Sequence, residues 1–193
     1  MNVSVLKPET IINEVFALYE KHEKNDHTIE PVLNLEHVSQ AAALAEEEGF
    51  EDEVILAAFF HNIGYLFTMD EKTKSKFDPD NIDQERLGAD FLRERGFSER
   101  VASLVESNVI AQRYLSYKYP EYYGHLSDAD KLTLYLHGGP MTIKEAAKFE
   151  LNPDADVFLR LRYWDDKAKQ VNKQLPDIRH IKLLMMSHLY KNN

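Results

Sequence analysis

His37–His61, HVSQAAALAEEEGFEDEVILAAFFH, and Gln84–Asn108, QERLGADFLRERGFSERVASLVESN, align residue for residue without a gap. The pairs Ala42/Ala89, Glu47/Glu94, Gly49/Gly96, Phe50/Phe97 and Val54/Val101 are identical. Each stretch reads as a helix, a glycine stop, a short acidic restart and a second helix, with the glycine just past the helix end. Each is therefore expected to be an antiparallel helical hairpin. His37 lies 12 residues before Gly49 and His61 lies 12 after it. At about 1.5 Å rise per residue both sit roughly 18 Å from the turn, at one level. The same count about Gly96 makes Gln84 and Asn108 level. Hairpins packed face to face would bring His37, His61, Gln84 and Asn108 towards one cavity, as helix bundles commonly build their sites.

Outward from the hairpins, apolar residues keep the helical period. Helices are expected from Pro8 through Tyr19, Pro31–Glu48, Asp52–Phe67, Asp83–Arg95, Glu99–Tyr117, Ser127–Tyr135, Ile143–Phe149, Ala155–Lys173 and Pro176–Tyr190. Seven Gly and seven Pro in 193 residues leave little punctuation for many short strands. The class is all-α: a central pair of antiparallel hairpins with peripheral helices, in a single domain spanning 1–193. Residues 68–82 are polar and charged, and read as a solvated connector or a lid over the cavity. His137-Gly138-Gly139-Pro140 reads as a turn between helices; it lacks the Lys and Ser/Thr of a phosphate loop.

Composition excludes several functions. There are no cysteines, hence no disulfides, thiolate metal sites or Cys nucleophiles. Twenty-three basic against thirty-three acidic residues give a net charge of −10, which argues against nucleic acid as a ligand. No apolar run reaches the ~20 residues of a membrane helix, and no secretory leader is evident. The expectation is a cytoplasmic protein whose partner is a small polar molecule or another protein. The aromatic stretch Arg113–His125 reads first as a packed loop, and otherwise as a partner surface or a pocket wall.

His61 and Asn62 stand in an apolar helix, VILAAFFHNIGY, where buried polar groups need partners. Two neighbouring polar side chains there point to a polar cavity, or to a self-satisfied core network. Glu36 and Glu30 are candidates to orient a histidine ligand from behind.

The order His37, His61-Asn62, Asp165 resembles the HD superfamily of metal-dependent phosphohydrolases. More narrowly, NLEHVSQAA, ILAAFFHNIGY, LGADFLRERGFSERVASLVE, LSDADKLTLYLHGGPM and RYWDDKAKQ resemble the small mixed-valent di-iron oxygenases that cleave hydroxylated aminoalkylphosphonates. The resemblance covers about residues 26–170. It implies an HD-domain helical bundle and a metal centre whose first ligands are His37, His61 and Asp165. It also exposes departures. The Asp expected to bridge two metals is Asn62, and the third and fourth His positions fall on Gln84 and Asn108. The position of a tyrosine that caps the second metal falls on His27, with the nearby glutamate kept as Glu30. The His and Lys expected to hold the phosphonate fall on Tyr65 and Gln112.

Asn offers a neutral carbonyl oxygen where a bridge needs a charged carboxylate, and amide oxygens are poor ligands for iron or zinc. An intact di-iron site is therefore not expected. Two His and one carboxylate, with Asn62 as a weak fourth donor, still suit one iron or zinc ion. Three readings follow. In one, a diverged single-metal oxygenase or hydrolase uses His37, His61 and Asp165, with Glu30 or His27 as catalytic candidates. In another, a degenerate, non-catalytic descendant binds a small polar molecule or a partner through Asn62, Tyr65, Gln84, Asn108 and Gln112. The last, an intact phosphohydrolase, ranks lowest because Asn62 replaces the defining Asp. Ligand chemistry alone favours the non-catalytic reading.

Overall fold

A computed structural model describes residues 6–25, 35–68, 83–168 and 177–192. His27, Glu30 and residues 69–82 lie outside the described residues. The described residues contain twelve α-helices and no strand. These are α1 (Pro8–Asn25), α2 (Leu35–Glu47), α3 (Asp52–Phe60), α4 (Ile63–Thr68), α5 (Gln84–Glu94) and α6 (Glu99–Glu106). They continue with α7 (Asn108–Lys118), α8 (Pro120–His125), α9 (Asp128–Leu136), α10 (Ile143–Glu150), α11 (Ala155–Ala168) and α12 (Ile178–Asn192).

The two expected hairpins form, α2–α3 about Gly49 and α5–α6 about Gly96. Their turns are identical in hydrogen bonding. Gly49 N–H donates to Glu46 O and Phe50 N–H to Ala45 O; Gly96 N–H donates to Arg93 O and Phe97 N–H to Leu92 O. This pair of hydrogen bonds past the helix end requires a left-handed residue, and Gly49 and Gly96 have φ of 78° and 82°. α3 is the centre of the core. Every residue from Val54 to Phe60 is buried, and α3 packs against α2, α6, α11 and α12. α11 lies along α2, α4 packs on α5, and α1 pairs with α12 at the periphery.

Two expected helices prove to be broken, and the breaks have local causes. Asp52–Phe67 divides at His61-Asn62 into α3 and α4, and Glu99–Tyr117 divides at Ser107 into α6 and α7. At each break a side chain bonds the carbonyl three residues back: His61 Nδ1 to Ala58 O at 2.7 Å, and Ser107 Oγ to Leu104 O at 2.6 Å. Such back-bonding competes with the helix ladder and bends it. A glycine then lets the chain after the first break lie close to α5. A Cβ on Gly64 would stand 1.8 Å from the Gln84 carbonyl oxygen. The stretch expected between Ser127 and Tyr135 is shifted by one residue at each end, and Pro120–His125 adds a helical turn.

His188 of α12 closes the core beneath the second hairpin. Its Nε2 accepts the Ser98 backbone N–H at 3.0 Å, and its ring stacks on Phe97 at 5.6 Å. Accepting that bond requires a neutral ring, and burial lowers its pKa from 6.5. The unfolded chain therefore binds the proton more readily. Stability from this group is complete above pH 6.5 and is lost as the pH falls from there through the folded-state pKa. Urea melts across this range will show that loss in the wild type, and His188→Gln will remove this part of the slope.

Candidate metal centre

His37 enters in the first turn of α2, His61 is the C-terminal cap of α3, and Asp165 lies late in α11. The three are buried, each 3–4% exposed. His37 Nε2 stands 3.2 Å from His61 Nε2 and 3.1 Å from Asp165 Oδ1, while His61 Nε2 is 3.3 Å from the same oxygen. Neighbouring donors around one small cation with bonds of about 2.0–2.2 Å are separated by roughly 3.0–3.5 Å. The triangle already has that size.

The proton count sharpens this. His61 Nδ1–H donates to the Ala58 carbonyl, so in a neutral ring Nε2 carries a lone pair. Asp165 Oδ1 belongs to a carboxylate. Burial alone would raise its pKa, but the Arg162 guanidinium, and after it His61 and His37, hold it well below the usual range. A single proton on His37 Nε2 can be given to one of these acceptors. The pair left at 3.3 Å is then lone pair against lone pair. Either a second proton or a cation is required, and the donor set of two imidazoles and a carboxylate fits a cation.

Arg162, three residues before Asp165 on one helical face, is the group that sequence reasoning missed. Its Nη1 lies 3.3 Å from Asp165 Oδ2, Nη2 lies 3.0 Å from Asp166 and 3.6 Å from Asp130, and Nε donates to Tyr122 Oη at 2.9 Å. It is buried, and although burial opposes its charge, Asp165 and Asp166 keep it firmly protonated. The i, i+3 spacing of Arg162 and Asp165 was a readable signal, since residues three apart share a face.

The other expected residues divide. Gln84 is turned to Thr68, its Nε2 donating to Oγ1 at 3.0 Å. Gln112 is buried and donates to Asp130 at 3.4 Å. Asn62 is buried, and so is Asn108, whose Oδ1 has no hydrogen-bond partner. Tyr65 is half-buried, and its phenol is pushed up by burial, then by Glu85 and Asp165. The second hairpin thus contributes no histidine or carboxylate to the triangle. The third corner comes from α11. Gln84 itself is occupied elsewhere, because the close approach at Gly64 sets α5 against α4 and hands its amide to Thr68. Asp166, its side chain 37% exposed, is an ion-pair partner of Arg162. The turn at His137–Pro140 is present, with Gly138 and Gly139 both at positive φ. No described helix is long and apolar enough to cross a membrane.

Comparison with known proteins agrees with this architecture. The model of the HD domain matches residues 28–149. The chain is 35% identical over 178 residues, 92% of its length and 81% of the relative's, to an uncharacterized protein of Acanthamoeba polyphaga mimivirus. It is 34% identical over 179 residues (93% of this chain, 90% of the relative) to the [1-hydroxy-2-(trimethylamino)ethyl]phosphonate dioxygenase (glycine-betaine-forming) of Leisingera caerulea. It is 33% identical over 171 residues (89% and 84%) to the hydroxymethylphosphonate dioxygenase of Gimesia maris. With hairpins, buried His-His-Asp triangle and full-length similarity in agreement, this chain belongs to the HD-domain family and is a relative of phosphonate dioxygenases.

Proposed function

We propose that this protein holds a single divalent metal, iron or zinc, on His37, His61 and Asp165, and uses it on a small polar molecule without the two-metal chemistry of the di-iron oxygenases. The observation that carries this is the buried triangle of two Nε2 atoms and one Oδ1 at 3.1–3.3 Å, a donor set and spacing that suit one small cation. A second metal does not fit beside the first among the described residues: Asn62, Gln84 and Asn108 are neutral amides where a bridging carboxylate and imidazoles would be needed.

When bound, such an ion supplies Lewis acidity and, if it is iron, access to one-electron chemistry. The chain's own contribution is orientation. The Ala58 carbonyl fixes the His61 tautomer, and Arg162 holds the second Asp165 oxygen so that the first faces the histidines. Arg162 is engaged by three carboxylates and is not a clamp for an anion. With Tyr65 and Gln112 where the oxygenases carry a His and a Lys, this favours a phosphorus-free, polar substrate.

Two features favour the metal-free alternative, a pocket that only binds. Arg162 already balances the charge on Asp165, and the unpaired buried Asn108 oxygen offers a neutral ligand an acceptor. Metal analysis decides. After purification with iron or zinc and desalting, the wild type will retain this ion, and His61→Ala and Asp165→Ala will each lose it. Retention unchanged in both variants, or a central site that stays empty on loading, would sink the single-metal reading.

A further inference from the structure

Glu85 lies outside that triangle and has a different problem. Its carboxyl is buried on α5, and neither oxygen has a hydrogen-bond partner. A buried acceptor left unpaired is costly, more so if it is charged. Two further donors face it. His137, in the turn after α9, has its Nε2 4.0 Å from Glu85 Oε2. Its Nδ1–H donates to the Thr133 carbonyl at 2.9 Å, so in a neutral ring Nε2 presents a lone pair towards Glu85. Asp83 completes the group: its Oδ1 caps α5 through the Arg86 N–H at 2.9 Å, leaving Oδ2 uncommitted to the cap. One donor atom from each of the three falls within 4.8 Å of the others.

We propose that Asp83, Glu85 and His137 form a second divalent-cation site, made of residues other than the His37–His61–Asp165 triangle. As ionised metal ligands, two carboxylates and one neutral imidazole carry a charge of −2 and a mixed oxygen and nitrogen donor set. That combination suits zinc, manganese or ferrous iron and is too nitrogen-rich for a typical calcium site. Glu85 is the buried ligand, His137 the half-buried one and Asp83 the exposed one, so an ion can enter from solvent and meet the buried carboxylate last. Occupation gives the Glu85 oxygens the partner they lack. It also ties the turn after α9 to the N-terminus of α5.

The test is stoichiometry by elemental mass spectrometry after loading the full-length protein with Zn(II), and separately Mn(II), followed by desalting. Wild type is expected to hold one equivalent at this site, lost in Glu85→Gln and His137→Gln. Asp83→Asn keeps the helix cap and an exposed side chain, so it tests the site without threatening the fold. It should weaken the same equivalent at least tenfold in a titration. His61→Ala should leave this equivalent intact while removing the central one. Glu85→Gln, His137→Gln and Asp83→Asn proteins that all bind as much metal as wild type would overturn the proposal, whatever the central triangle does. So would a wild type whose only metal is lost with His61.

Discussion

Replacing Arg162 by methionine will cost the metal-free protein about 3–5 kcal/mol, because it leaves a buried carboxylate without its counter-ion. The guanidinium is among the most enclosed charges of the described residues and touches Asp165, Asp166, Asp130 and Tyr122 together. Methionine fills much of the same volume, so little of the loss will come from a cavity. For a chain of this size that is a fall in Tm of roughly 6–20 °C. The variant also separates stability from metal binding. Asp165 without Arg162 is a more strongly negative ligand, so zinc should still be retained. Saturating metal should then return part of the lost stability, about 2.7 kcal/mol at a hundredfold excess over Kd. A melting temperature unchanged from wild type would show that Arg162 does not balance Asp165; destabilisation with no recovery on metal addition would count against the single-metal triangle.

Gly64→Ala is expected to cost about 3 kcal/mol or more, from backbone rather than side-chain conflict. The added methyl would meet the Gln84 carbonyl oxygen at 1.8 Å, the Gln84 carbonyl carbon at 2.8 Å and the Gly88 nitrogen at 2.9 Å. None of these is the end of a flexible side chain, so α4 and α5 must separate. Overpacking usually costs about 1–3 kcal/mol, and this contact lies beyond what rotamer changes relieve. Separation would also pull Gln84 from Thr68 and move Glu85, so the substitution should weaken the site on Asp83, Glu85 and His137 while leaving zinc on His37, His61 and Asp165. Thermal melts and metal content measure both; an alanine variant as stable as wild type would mean that the two helices are not held in contact.

Much of the fold was legible before any tertiary contact. The period of apolar residues, the two glycines at matched registers and the restarts after them determine two hairpins, since an L residue there would be strained at φ near 80°. Counting from Gly49 placed His37 and His61 at one level, and they do meet at 3.2 Å. Asp165 was reached only through resemblance, because nothing local ties a residue of α11 to one 128 positions earlier. Helix breaks at His61 and Ser107 were not legible either. A side chain bonding back to a carbonyl looks, in sequence, like any polar residue in a helix.

The sequence by itself determined the helical class and the hairpin register, because these depend on period and turn conformation. Only the tertiary structure decided which side chains meet. It set α11 along α2, giving the histidines a carboxylate and that carboxylate an arginine. It pressed α5 on Gly64, sending Gln84 to Thr68 and burying Glu85 opposite His137. Those outcomes rest on contacts between segments far apart in the chain, and local propensity carries no information about them.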